Sequence, residues 1–194
     1  YLNIDVITDN IVINDPGYTE YSMNKFMKLY ELDGDLKELI KSNLIVRKNW
    51  IKFKEDELIS FITKTTNGIK SVKPNIIITA AVISDFNQGK NIYNQDAKKW
   101  LELGIVDEIE PMAYSDVVEY VLEKIKYYDE NLPNYEVRIG LSHELDLITL
   151  AREMELSSKH GYILFNASIY QYGLSKIPHG KVLLSNKDVK ALEN

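Results

Sequence analysis

Strand-length apolar runs alternate with stretches of helical spacing along this chain, and no other pattern in it limits the fold as much. Residues 75–83 read Asn-Ile-Ile-Ile-Thr-Ala-Ala-Val-Ile. A continuous apolar run of this kind suits a parallel strand covered on both faces. Residues 106–114, 136–141 and 162–167 are further runs of strand length. Residues 2–13 form an earlier one, closed by the turn signal Asn14-Asp15-Pro16-Gly17. Helical spacing marks residues 22–30, 36–44 and 50–72, the last with Ile51, Leu58, Ile59, Ile62 and Ile69 near one face and stopped by Pro74. It marks residues 96–103 up to Gly104, residues 116–128, and residues 145–160 up to Gly161. Ser22 and Ser115 are the expected caps of their helices. Residues 84–94 and 173–180 read as loops, and 188–192 as a terminal helix.

Strands separated by helices predict an α/β fold with a parallel sheet and right-handed crossovers. A complete (β/α)8 TIM-type barrel takes about 250 residues. The 194 residues here are expected to cover its carboxyl-terminal five or so β/α units, roughly two-thirds of such a barrel. With no linker or low-complexity tract, residues 1–194 are expected as one domain. The chain begins at Tyr1 and enters a strand almost at once, so a signal or anchor is expected upstream of it.

Composition narrows the function. A net charge of -6 argues against non-specific nucleic-acid binding, and no basic run offsets it. The absence of cysteine excludes disulfides, thiol catalysis and cysteine-ligated metals. His143, His160 and His179 lack ligand spacing, so no metal is expected. Neither a Gly-x-Gly-x-x-Gly nor a Walker pattern occurs, and no cofactor is expected. No apolar run approaches the ~20 residues of a membrane span. Ser142-His143 has no Gly-x-Ser-x-Gly elbow beside it and is not read as a hydrolase dyad. The 13 tyrosines suit half-wet cores and sugar clefts alike.

Residues 106–114, Val-Asp-Glu-Ile-Glu-Pro-Met-Ala-Tyr, carry the clearest chemical hint. A strand period of two puts Glu108, Glu110, Met112 and Tyr114 on one face. A carboxylate among such neighbours is costly to bury unless paired or working. An acid/base site at the carboxyl end of a parallel strand is therefore expected.

Four stretches resemble the glycosyl hydrolase-like family 10. Val6-Ile7-Thr8-Asp9-Asn10 resembles that family's strand ending in an acidic motif. Trp50-Ile51-Lys52-Phe53-Lys54, with the helix leading to Lys73-Pro74-Asn75, resembles its Trp-x-x-x-Arg helix and Lys-Pro strand start. Gln95-Asp96-Ala97-Lys98-Lys99-Trp100-Leu101 with Gly104 and Asp107 resembles its Gln-Asp-Trp-x-x-Trp-Leu-x-x-Gly-x-x-Asp segment. Pro111-Met112-Ala113-Tyr114 resembles its Pro-(Gln/Met)-x-Tyr strand end. The resemblance runs roughly from residue 5 to 170. It departs at Asn10, where the family often has a second acid, at Lys54 in place of arginine, and at Glu110 in place of an apolar residue.

The resemblance implies a barrel glycosidase of the bacterial envelope or extracellular space, with a polysaccharide such as the glycan strands of peptidoglycan as substrate. Such hydrolysis generally needs two carboxyl groups across the scissile bond, at or beyond the carboxyl ends of barrel strands. Asp9, Asp85, Glu110 and Glu144 fall there. Asp9 and Glu110 are the expected catalytic pair; their plainer readings are a rim aspartate bonded to backbone and an ion pair inside the barrel. Tyr114, Asp85, His143, Glu144 and Asn166 are the expected substrate-binding residues. Against these stand core packing for Tyr114, a solvated loop for Asp85, a surface position for His143 and Glu144, and backbone satisfaction for Asn166. Trp50 and Trp100 are expected in helix–sheet core. A non-catalytic carbohydrate-binding barrel is the rival reading, and a half-barrel scaffold pairing through its open edges is a third. The oligomeric state is left open.

Overall fold

Local side-chain chemistry sets where the helices begin. In the computed structural model, which describes residues 17–142 and 145–164, the first helix, α1, runs Glu20–Leu29. Its cap is Thr19, whose Oγ1 accepts from the Ser22 amide at 3.2 Å. Ser22, the expected cap, lies inside the first turn. Asp35 caps α2 (Leu36–Ser42) by accepting from the Lys37 and Glu38 amides. Asn43 then ends α2 and caps α3 (Leu44–Val72), its Oδ1 accepting from Ile45 and Val46. The long helix therefore starts at Leu44, ahead of the Trp50 that the apolar spacing marks.

The described residues fall into two compact units, residues 17–76 with 87–96, and residues 77–86 with 97–142 and 145–164. The first is helical. Its core is Phe26, Leu36, Ile40, Val46, Trp50 and Phe53. Trp50 is fully buried here, edge-on to Phe26 at 5.1 Å and stacked on Phe53 at 5.6 Å. Its burial is thus between helices and not, as expected, between helix and sheet. Aromatic pairs of this geometry contribute about 0.5–1.5 kcal/mol each beyond area burial.

The second unit holds a parallel sheet. Its elements are β1 (Thr79–Ile83), β2 (Glu108–Met112), β3 (Glu136–Val137), β4 (Ile139–Leu141) and β5 (Tyr162–Leu164). The order is β1-β2-β4-β5, with β3 also on β2, and every pairing is parallel. β3 and β4 are one strand path interrupted at Arg138, whose amide still donates to Ile109 O at 3.0 Å. Neighbours in space are neighbours in sequence. This mixed α/β arrangement is compatible with a partial α/β barrel. The first two strands are shorter than their apolar runs, because residues 75–78 and 113–114 lie outside the ladder.

Register assigns the two faces. Val82, Pro111, Ile109, Val137, Ile139 and Leu141 share one, and it is buried. Of the remaining helices, α4 is Phe86–Tyr93, α5 Ala97–Glu102, α6 Val118–Asn131 and α7 Leu147–Leu156. Helix α5 packs on β2, α7 on β4, and α6 against α7. Trp100, Leu101, Val121, Ile125, Tyr128 and Leu150 supply the buried helical side. The expected loop over residues 84–94 is instead largely α4. Asn, Gln and Gly make its helical signal weak, but Phe86 stacks on Tyr127 at 5.8 Å and Gly89 O accepts from Gln95 N. Helix α6 begins at Val118, and its cap residue, Val117, makes no side-chain cap bond. Ser115, the expected cap, accepts from the Val117 amide instead. Helix α7 is shorter than residues 145–160 and is capped by Asp146.

Candidate functional site

The second face of the sheet carries the polar chemistry. Register places Thr79, Ala81 and Ile83 beside Glu108, Glu110 and Met112, with Gly140 beside Met112. Glu108, Glu110 and Met112 therefore share a face as their spacing predicts, and Tyr114, beyond the ladder, brings its ring to the Gly140 side of that face.

Within that face the buried acid is Glu108, only 5% exposed. Arg138, projecting from the break between β3 and β4, donates from Nη2 to Glu108 Oε2 at 2.9 Å. Glu108 Oε1 is buried with no partner among the described residues. Burial pushes the Glu108 carboxyl above its ordinary value, Arg138 works against that shift, and the charges of Glu110 and Glu136 add to it. Glu108 is the first residue of β2, at the end of the sheet opposite to where barrel enzymes keep their chemistry. Its ion pair makes it scaffold.

Glu110 lies one pleat further along, half-buried. Its carboxylate has no hydrogen-bond or ion-pair partner among the described residues. Beyond the end of β2, Tyr114 is 43% exposed. Burial and then the Glu110 charge raise its phenol above the ordinary value, so the ring stays a neutral hydroxyl donor. Gly140 makes room for that ring. A Cβ there would meet Pro111 O at 3.1 Å, Met112 Cα at 3.4 Å and Tyr114 Cε1 at 3.4 Å. A carboxyl group with no partner among the described residues, beside a half-exposed tyrosine, can take a proton as the carboxylate or give one as the acid next to a ring-stacking surface.

Asp85, just after β1, is committed elsewhere. It accepts from Lys124 Nζ at 3.3 Å, and that lysine side chain is only 8% exposed. Burial pulls the Lys124 ammonium down, but hydrogen bonds to Glu123 and Asp85 outweigh it and the net shift is upward. Nearby, Ser84 Oγ and Tyr120 Oη lie 2.8 Å apart, and Tyr128 Oη donates to Ser84 O at 3.1 Å. This cluster ties the segment after β1 to α6. Asp9, His143, Glu144 and Asn166 lie outside the described residues.

Glu153 was given no role by the sequence. On α7 it is fully buried, and neither carboxylate oxygen has a partner among the described residues. Burial, then the charge of Asp116, raises its pKa to about 7. The available signal was its spacing three residues after Leu150, on the face that α7 buries. Among the described residues, no group of three or more His, Asp or Glu could hold a metal ion. None of their helices is long and apolar enough to cross a membrane.

The motif stretches that fall among the described residues are mostly scaffold. Gly104, at φ +63, ends α5, with Ile105 N donating to Trp100 O. Asp107 Oδ2 accepts from the Ile78 amide at 2.8 Å, and Asp107 N donates to Ile78 O, fixing the approach to β1. Asp96 is buried in an ion pair with Lys90 at 2.6 Å. Among the described motif stretches, the segment Pro111-Met112-Ala113-Tyr114 is the one that reaches the second face of the sheet. No curated protein and no solved structure matches the chain. Residues 6–138, more than half of it, match the family model described as Glycosyl hydrolase-like 10, so the chain belongs to the glycosyl hydrolase-like 10 family, and a glycosidase-related role follows in general terms.

Proposed function

We propose that the protein is a glycoside hydrolase of (β/α)8 type, built as one α/β domain and acting on a bacterial envelope or extracellular polysaccharide such as the glycan strands of peptidoglycan. Glu110 and Asp9 are its two carboxylates, one donating a proton to the leaving oxygen and the other attacking or activating water. Tyr114 shapes the sugar subsite. The observation that carries this reading is the Glu110 carboxylate, without a partner among the described residues, beside the half-exposed Tyr114, at the middle of a parallel strand in a member of this family. His143, Glu144 and Asn166 are assigned to substrate binding.

The test is reducing-end release from peptide-free peptidoglycan strands by the protein, its Glu110→Gln variant and its Asp9→Asn variant. Each amide is expected to lower turnover by at least about a hundredfold, the usual scale of acid–base assistance. Near-normal release by both amides would sink the assignment. A second reading, a non-catalytic carbohydrate-binding barrel, is favoured by Asn10, which stands where the family often has a second acid. Glycan binding without release by the parent protein would establish it.

A further inference from the structure

The helical unit contains a groove of about 410 Å3 that the sheet chemistry does not use. Its walls come from α1, α3 and the end of α4. Tyr21 and Tyr93 line it, and they are 72% and 48% exposed. Leu58 adds an apolar contact, and Lys54, Glu57 and Asn94 bring polar groups. Glu57 is oriented by an ion pair with Lys25, whose ammonium also lies 5.9 Å from the Tyr21 ring centroid. Lys54 rests over the Trp50 ring at 5.6 Å. Asn94 holds the left-handed conformation at φ +57. The volume falls within the range of small-ligand sites.

Two exposed tyrosine rings lining one groove suit a flat partner. Charged groups on the same lining call for a partner that hydrogen-bonds while it stacks. A pyranose ring does both, with an apolar C–H face and a rim of hydroxyls. A wholly apolar segment would strip water from Lys54 and Glu57 without replacing it. A nucleic acid, with a phosphate at every residue, would meet Glu57 and a chain of net charge -6.

We infer that this groove is an ancillary oligosaccharide-binding site, with Tyr21 and Tyr93 as its stacking platforms and Lys54, Glu57 and Asn94 as its hydroxyl contacts. The inference rests on the carbohydrate reading above, but not on the assignment of the catalytic acids.

The test is calorimetric titration of the whole chain with cello-, xylo- and chitotetraose. It is done in a Tyr114→Ala background, which removes the platform on the sheet. At least one sugar is expected to bind. Tyr21→Ala and Tyr93→Ala should each weaken that binding about tenfold, the scale of one lost aromatic stack. Tyr→Phe at either position keeps the ring and should stay within about threefold. Both rings are exposed, so truncation is expected to leave the fold intact, which circular dichroism checks. Absence of binding by all three sugars overturns the inference. So does equal affinity in the Tyr21→Ala/Tyr93→Ala double variant. Full affinity in Tyr93→Leu would also overturn it, because it would reduce the groove to a general apolar surface. Hydrolysis by Glu110→Gln is read separately, so failure of the catalytic assignment leaves this result standing.

Discussion

Glu108 and Glu110 sit two residues apart on one strand face, yet one is bound to Arg138 and the other has no partner among the described residues. The period of two placed both on that face from sequence, together with Met112 and Tyr114. Which of them is buried was not legible, because that depends on Arg138 reaching across from an interruption between β3 and β4. Replacing Arg138 by Met is expected to destabilise the protein by about 1–3 kcal/mol at pH 7, since it leaves a buried carboxylate unpaired. Removing the arginine also removes the one influence that lowers the Glu108 pKa. That pKa then rises further, and the penalty grows as pH climbs above the ordinary carboxyl value. Urea unfolding of the variant should show a smaller loss at pH 5 than at pH 7. An equal loss at both would mean that the pair contributes through packing alone. Glu110→Gln should instead leave the unfolding midpoint close to that of the parent, since no pairing to Glu110 is lost among the described residues.

At the level of elements, β-branched runs and turn signals were sufficient to locate four of the strand paths, and apolar spacing located the long helices. What escaped had physical causes. Helix α4 is rich in Asn, Gln and Gly, which weakens its signal, and its first residue, Phe86, stacks on Tyr127, a contact between segments far apart in sequence. The start of α3 depends on Asn43, which lies outside the apolar spacing but offers one oxygen to two amides. The tight passage at Gly140 was equally silent, because its demand comes from the neighbouring strand. Gly140→Ala would press a methyl group against the Pro111 carbonyl at 3.1 Å, and backbone cannot yield as a flexible side chain would. The expected cost is about 1–3 kcal/mol, read from the melting midpoint. Because the same Cβ touches the Tyr114 ring, glycan affinity should fall as well. Unchanged melting together with unchanged affinity would remove Gly140 from the account of the site.

At the scale of the whole molecule, stability should depend on pH through Glu153. Its carboxyl is fully buried on α7 and titrates near 7, against about 4.5 for the unfolded chain. Below pH 4.5 the group is neutral in both states and costs little beyond its missing hydrogen bonds. As pH rises from 4.5 to 7 the unfolded chain gives up the proton first. Folding must then retain a proton that the unfolded chain has lost, so stability falls through this window. A shift of this size corresponds to about 3 kcal/mol at higher pH. Replacing Glu153 by Leu removes both the titration and the two oxygens that have no partner among the described residues, and apolar replacement of buried polar groups is often neutral or stabilising. The variant should therefore exceed the parent by about 1–3 kcal/mol at pH 8, and the gain should shrink towards pH 5. The unfolding free energies in urea at the two pH values decide it. A pH-independent gain would mean that packing alone favours leucine. A loss at pH 8 would mean that the Glu153 carboxylate is engaged in the folded protein.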